Sequence, residues 1–393
     1  MISASKRAKR IEYAIRDVTV PAAKLERKGI EVLKLNIGDP IKYDFKTPEH
    51  IRKAAAEAIM NSRSEYSPSE GLLELREAIV QKEKEYSVDI TSDDIVVTTG
   101  VTEALMLIFG AALNPGEEIL VPGPTYPPYI TYPTFYDGVP KTYRTVEEES
   151  WQPDIDDIRK KINEKTKAIA VINPNNPTGA YYGEKVLKEI ADIAGEHGLF
   201  LISDEIYDKM LYDDIFVSPA KLAKDVPMII LNGISKVYLA PGWRIGYLAI
   251  RDADRQLEDI RDGIMRQARA RLCANTPLQL GYLAALNGPQ GHIQKTMETL
   301  RKRRDYVLKR VGEIDGLSVV SPRGAFYMFI KVENCNDDKR FVLDLLMKKH
   351  VLTVHGSGFC PIYGKGHFRI VNLPPVEYLA TAFDRIEEFM KGK

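Results

Sequence analysis

Between residues 95 and 250 the chain repeats one pattern, a short apolar run followed by a longer stretch of helical periodicity. The runs are Ile95 to Thr99, Glu118 to Val121, Ala168 to Ile172, Leu199 to Ser203, Met228 to Leu231 and Gly246 to Ile250. Most are apolar throughout rather than alternating, which predicts strands buried on both faces. Helices are predicted between them, for example over 103–113 and 184–197. This alternation predicts an α/β domain with a large, mostly parallel sheet. After about residue 290 the texture changes. A long charged helix is expected over 292–314, then strands over 317–321 and 325–330, and helices over 339–350 and 376–390. That reads as a smaller α+β domain. The expected division is an N-terminal arm over 1–45 that joins the small domain, a large domain over 46–290 and a small domain over 291–393.

Composition narrows the function. Lys and Arg number 55 and Asp and Glu also 55, so the formal net charge is zero. A neutral chain is poorly suited to coating nucleic acid or an anionic membrane. The three cysteines, Cys273, Cys335 and Cys360, are odd in number and far apart, which fits a reducing cytoplasm better than a disulfide framework or a zinc site. The basic N-terminus leads into no apolar signal segment, and no apolar run is long enough to span a bilayer.

In such a sheet, ligands bind beyond the carboxyl ends of the strands. The residues just past each run are therefore informative. Gly100-Val101-Thr102 opens a helix, where free N–H groups make an anion cup, although Thr102 as a plain helix cap explains the same residues. Asn173-Pro174-Asn175-Asn176-Pro177-Thr178-Gly179 is a rigid amide-rich loop. Asp204-Glu205-Ile206-Tyr207 puts an acid at a strand end. Ser235-Lys236 lies in an apolar context, which lowers a lysine's pKa, and Arg244 comes next in Pro241-Gly242-Trp243-Arg244. An acid for a pyridinium and a lysine for a carbonyl are the marks of pyridoxal phosphate chemistry.

With these three linked motifs in order and spacing, the chain resembles the class I/II aminotransferases of fold type I over essentially its whole length. Leu35-Asn36-Ile37-Gly38-Asp39-Pro40, Gly123-Pro124-Thr125-Tyr126-Pro127-Pro128-Tyr129 and Val354-His355-Gly356-Ser357-Gly358-Phe359 are most similar to the archaeal-type alanine aminotransferases. The resemblance implies pyridoxal 5'-phosphate (PLP) as cofactor. It implies that Lys236 holds the cofactor and then acts as acid and base, and that Asp204 pairs with the ring nitrogen. Asn176 and Tyr207 would bond the phenolic oxygen and Tyr126 would stack on the ring. Val101, Thr102, Ser235 and Arg244 would bind the phosphate. Tyr66 would reach the phosphate of a neighbouring subunit, implying a homodimer with shared active sites. Arg369 would clamp the substrate carboxylate, with Asn176 and the Gly38 N–H beside it. Many members carry a hydroxyl where this chain has Gly233.

The expected reaction is transamination of L-alanine with 2-oxoglutarate. Rivals are an aspartate or a broad aromatic and branched-chain aminotransferase, and more distantly a PLP-dependent C–S lyase. A dicarboxylate-reading arginine has no anchoring motif; Arg266, Arg269 and Arg271 lie in a plausible region. A transcription regulator is disfavoured by the short stretch ahead of the body. Arg301-Lys302-Arg303-Arg304 and Glu147-Glu148-Glu149 read as solvated faces. No metal site is expected at His355 and His367. Gly358 to Gly366 fails as a phosphate loop by its spacing.

Overall fold

The computed structural model describes residues 2–11, 14–223 and 225–392, with the side chains of Arg16 and Asp17 excepted. Its strands in chain order are β1 (Leu33–Lys34), β2 (Ile95–Thr98), β3 (Glu118–Gly123), β4 (Val139–Val146), β5 (Gln152–Pro153), β6 (Thr166–Ile172), β7 (Phe200–Asp204), β8 (Met228–Gly233), β9 (Gly246–Arg251), β10 (Leu317–Val319), β11 (Tyr327–Val332), β12 (Val351–Leu352), β13 (Val354–His355) and β14 (His367–Val371). Eight form the large sheet, in the order β2-β9-β8-β7-β6-β3-β4-β5. Strand β9 runs antiparallel to both neighbours and β5 antiparallel to β4, while the other pairings are parallel.

The continuous apolar runs have a direct structural cause. Ile169, Val171, Leu201 and Ile230 enter one core, whereas Ala168, Ala170, Ile202 and Ile229 enter another on the opposite face with Leu105, Ile108 and Ile264. Alternate residues of each strand point to opposite faces, so both must be apolar when both are covered. Strand β4 escaped the sequence reading for the complementary reason. In Val-Pro-Lys-Thr-Tyr-Arg-Thr-Val only Tyr143 and Thr145 are buried, and Pro140 breaks the pattern of an interior strand.

The second sheet, β10-β11-β14-β13, is antiparallel. The helices Gly291–Gly312, Asp338–Lys349 and Val376–Lys391 cover it with Leu300, Leu345 and Phe383. Strand β1 pairs in parallel with β12, Leu33 opposite Val351. The early segment is thereby tied to the end of the chain and delivers Asn36 and Gly38 beside β14. Among the described residues no helix is long and apolar enough to cross a membrane.

Two surface readings need correction. In the basic run only Lys302 is exposed. Arg303 is buried, donates to the Leu373 carbonyl and Asp44, and lies over the Phe45 ring at 4.9 Å. Arg304 is buried over Tyr212 at 4.2 Å. Glu147 likewise is partly buried, accepting from Lys331 at 2.7 Å and lying 3.3 Å from His367.

Candidate active site

The loops beyond β2, β6, β7 and β8 surround a cavity of about 540 Å³, closed from the other side by the 37–39 segment, Tyr327 and Arg369. Every residue given a cofactor or substrate role from the sequence lines it except Tyr66, which lies outside and is 79% exposed.

At one end, Gly100 caps the helix Val101–Ala112 with φ of +86°. Thr102 therefore sits one residue inside the helix and is not its cap. The first-turn N–H groups of Val101 and Thr102 have no partner within the helix and open a site for an anion. Gly100 is required twice over. Its backbone is left-handed, and a Cβ there would lie 2.5 Å from the Arg244 guanidinium. Arg244 itself donates to the carbonyls of Thr99, at 3.2 Å, and Pro241, at 3.0 Å. Those bonds aim its fork across the helix start, beside Ser235.

Position 233 also has a structural explanation. A Cβ on Gly233 would meet the Ile245 carbonyl oxygen at 2.7 Å and Gly246 Cα at 2.8 Å. The β8–β9 pairing of Gly233 with Gly246 leaves no room for a hydroxyl-bearing side chain. The anion end is thus built without it.

Asp204 ends β7 and is 2% exposed. It accepts from the Tyr129 hydroxyl at 2.9 Å and from the Ile206 N–H at 3.2 Å. Burial pushes its pKa up to about 6, against those two hydrogen bonds and the Lys236 charge. Its hydrogen-bond partners are both neutral, so a cationic group in the cavity would relieve the desolvation it suffers. Lys236 donates to the Gly38 carbonyl at 2.8 Å and stands 5.5 Å from the Phe326 ring centre. Burial pulls its pKa down to about 8; Asp39 opposes that shift, and the Arg369 and Arg244 charges add to it. About one-tenth of the amine is then neutral at pH 7, far more than for an ordinary lysine, and that fraction is available as a nucleophile and base.

The amide-rich loop divides its labour. Asn173 braces Tyr182 through its N–H and carbonyl, and Asn175 accepts from both the N–H and the hydroxyl of Thr178. Asn176 is the one that faces the cavity, where its Oδ1 accepts from Arg369 Nη1 at 2.9 Å. Arg369, 1% exposed, also donates to the Asn36 carbonyl and is clamped between the rings of Tyr327 and Phe359, at 4.7 and 4.8 Å. Gly38 is there because a Cβ would strike Tyr327 Oη at 2.5 Å. Tyr207 shares a 2.7 Å hydrogen bond with Tyr327, and its pKa is raised well above normal by burial and by Tyr327.

Residues at this site that were not given a role from the sequence include Tyr129, Tyr327 and Asp39. Tyr129 had one available signal, its position three residues after Tyr126 on the helical turn beyond Pro127. Tyr327 begins an apolar strand and carried none. Arg266, Arg269 and Arg271 do not line the cavity. Arg266 pairs with Asp262, Arg269 is exposed, and Arg271 binds the Val97 carbonyl and Glu103.

An anion cup, a buried acid and a lysine of lowered pKa on one cavity form a donor set that matches a phosphorylated pyridine aldehyde. The model for aminotransferase class I and II matches residues 30–386, and the chain belongs to that family, whose members depend on PLP. It is therefore an aminotransferase of fold type I, acting on amino and oxo acids. Among solved structures, the alanine aminotransferase from Pyrococcus furiosus is 58% identical, with a TM-score of 0.97 and complete coverage of both chains. The glutamate-pyruvate aminotransferase AlaA of Escherichia coli is 38% identical over 100% of this chain and 98% of its own length. The alanine aminotransferase of Mycobacterium tuberculosis is 38% identical over 94% of this chain and 88% of its own.

Proposed function

We propose that the protein transfers the amino group of L-alanine to 2-oxoglutarate, giving pyruvate and L-glutamate. The observation that carries this reading is the 58% identity, over its full length, to a protein named alanine aminotransferase. The cavity supports it. Its lining cations among the described residues are Lys236, Arg244 and Arg369. With Arg244 at the anion end and Lys236 beside Gly38, one arginine remains for the carboxylate common to all amino acids. Ile15 and Ile37 line the cavity too, which suits a small apolar side chain. Arg266, Arg269 and Arg271 are engaged elsewhere or outside the cavity, and since 2-oxoglutarate itself brings a second carboxylate, the choice of alanine over aspartate rests on the sequence identity rather than on the arginines.

PLP, when bound, supplies the electron sink that makes the substrate Cα–H acidic. Val101, Thr102, Ser235 and Arg244 would hold its phosphate, and Tyr126 would cover its ring. Asp204 would favour protonation of the ring nitrogen as a buried carboxylate does for an adjacent cation. Asn176 and Tyr207 would donate to its phenolic oxygen. Arg369 grips the substrate carboxylate with two parallel hydrogen bonds, which a lysine could not replace, and the Gly38 N–H assists. Lys236, its pKa lowered to about 8, would hold the cofactor, and its amine would be the group that takes the proton from Cα and returns it.

The division at about residues 45 and 290 belongs to this reading, supported by one sheet within 95–251 and another within 317–371. So does a homodimer in which exposed Tyr66 reaches the partner's phosphate, and a cytoplasmic location, supported by three cysteines that form no disulfide. A panel of amino donors with 2-oxoglutarate tests the substrate; aspartate clearly surpassing alanine overturns it. Full activity from a monomer in sedimentation would overturn the shared site.

A further inference from the structure

Immediately after Asp204 the chain carries a second buried acid, Glu205, which does not line the cavity. It belongs to a cluster drawn from four elements. Lys82 and Glu83 come from the helix Leu73–Glu85, Glu205 and Asp208 from the loop after β7, Asn232 from β8 and Tyr247 from β9. All four charged residues are at most 5% exposed. Lys82 Nζ lies 2.9 Å from Glu83 Oε1 and 2.8 Å from Asp208 Oδ2. Glu83 Oε1 also accepts from the Tyr247 hydroxyl. Asn232 donates to the Glu205 carbonyl at 2.8 Å and to Asp208 Oδ2 at 3.0 Å. Glu205 Oε1 accepts from Ser203 at 2.9 Å and Ser218 at 2.6 Å.

Two facts do not balance if every acid is ionised. One lysine faces three carboxylates in a space without solvent. The remaining oxygens, Glu83 Oε2 and Glu205 Oε2, are both buried without a hydrogen-bond partner. A proton on Glu205 Oε2 reduces the excess of negative charge and turns one of the two stranded acceptors into a donor. We propose that Glu205 is held as the neutral acid at pH 7, so that this cluster, tied through Lys82 to Asp208, positions the loop carrying Asp204 and Tyr207. Burial, and then the Glu83 charge, push the Glu205 pKa up to about 8, against the bonds from Ser218 and Ser203 and the Lys82 charge. For Lys82 burial acts downward, but the charges of Asp208 and Glu83 prevail and hold it well above normal. The other titratable groups around the cluster, Tyr86, Tyr238, Tyr247 and Tyr282, all have raised pKa values, chiefly through burial, and add no charge near neutrality. The inference rests on the proposed function only for why the loop matters.

The test compares PLP-loaded wild type with Glu205→Gln, which mimics the neutral acid. In the unfolded chain Glu205 loses its proton near 4.5, whereas the folded chain keeps it until about 8. Wild type therefore loses stability as pH rises through that window and no further above it. The Tm of Glu205→Gln relative to wild type should climb between pH 5 and 8 and then level off. A gap that is constant or narrows with pH overturns the assignment. The infrared spectrum of wild type needs no variant to fold: it should hold the carbonyl band of a buried carboxylic acid at neutral pH, and absence of that band overturns it. Positioning is read from the pH midpoint of the bound cofactor's visible absorption. Glu205→Gln should keep that midpoint, and Glu205→Ala should shift it by about half a pH unit or more; superimposable curves for the alanine variant overturn the positioning role. A protein that takes up no PLP while keeping the infrared band would defeat the proposed function and leave the buried neutral acid standing.

Discussion

Tyr129→Phe removes the hydrogen bond that the Tyr129 hydroxyl donates to Asp204. The hydroxyl lies 2.9 Å from Oδ2 with both residues almost fully buried, so water cannot replace it. A hydrogen bond to a charged group at such a place contributes about 1.5–3 kcal/mol to the ionised form, which is about 1–2 pKa units. Starting from about 6, the Asp204 pKa in the variant should reach about 7–8. At pH 7 the ionised fraction would fall from about nine-tenths to between about one-half and one-tenth. Only the ionised form favours a protonated ring nitrogen. PLP affinity of the apoprotein at pH 7 should therefore drop about two- to tenfold, and it should recover towards wild type by pH 9, where both carboxyls are charged. The assay is a titration of apoprotein with PLP by visible absorption from pH 5.5 to 9.5. A variant whose affinity profile superimposes on wild type, or is lowered equally at every pH, would refute the reasoning.

Other outcomes rest on the same geometry. Lys236→Ala should leave the protein without the visible absorption of the bound cofactor, and in wild type the rate of cofactor attachment should rise with pH through about 8 as the amine loses its proton; a pH-independent rate contradicts the lowered pKa. Gly233→Ser should destabilise by about 1–3 kcal/mol through overpacking against the β9 backbone, read as a lower Tm; an unchanged Tm with tighter PLP binding would show that the hydroxyl was merely missing. Arg303→Ala should cost about 2–4 kcal/mol in chemical denaturation because it strands a buried carbonyl and breaks an ion pair with half-exposed Asp44, while Lys302→Ala should stay within about 0.5 kcal/mol. Equal effects at the two positions would count against the burial of Arg303.

The central sheet was legible in the sequence because strands covered on both faces must be apolar at every position, a signal that survives without any partner information. Strand β4 hid because it lies towards the sheet's edge, where alternation is weak and Pro140 interrupts it. The cavity was legible through position. A lysine, an acid and a rigid amide loop each come directly after a strand, and a strand's carboxyl end is where such residues face a ligand. Tyr129 and Tyr327 were not legible, because a buried tyrosine reads as core whether its hydroxyl serves an acid or merely finds a partner. Arg303 and Arg304 were misread for a similar reason. Their burial is set by Asp44, Phe45 and Tyr212, which come from remote parts of the chain, and helix periodicity carries no record of them.

The pairing of β1 with β12 has a consequence for how the molecule is made. Leu33 must wait for Val351, roughly 320 residues later, which at ribosomal speed is roughly half a minute. Until then Leu33 and Leu35 have no β12 to lie against, and Asn36 has no Arg369 to receive. The bond between Arg369 and the Asn36 carbonyl is therefore among the last features a newborn chain can complete, well after the segments around Asp204 and Lys236 have left the ribosome. Such long-range closure slows folding and leaves apolar surface waiting. A ribosome stalled before residue 351 would hold a nascent chain whose large sheet strands are all present but whose cavity lacks Arg369.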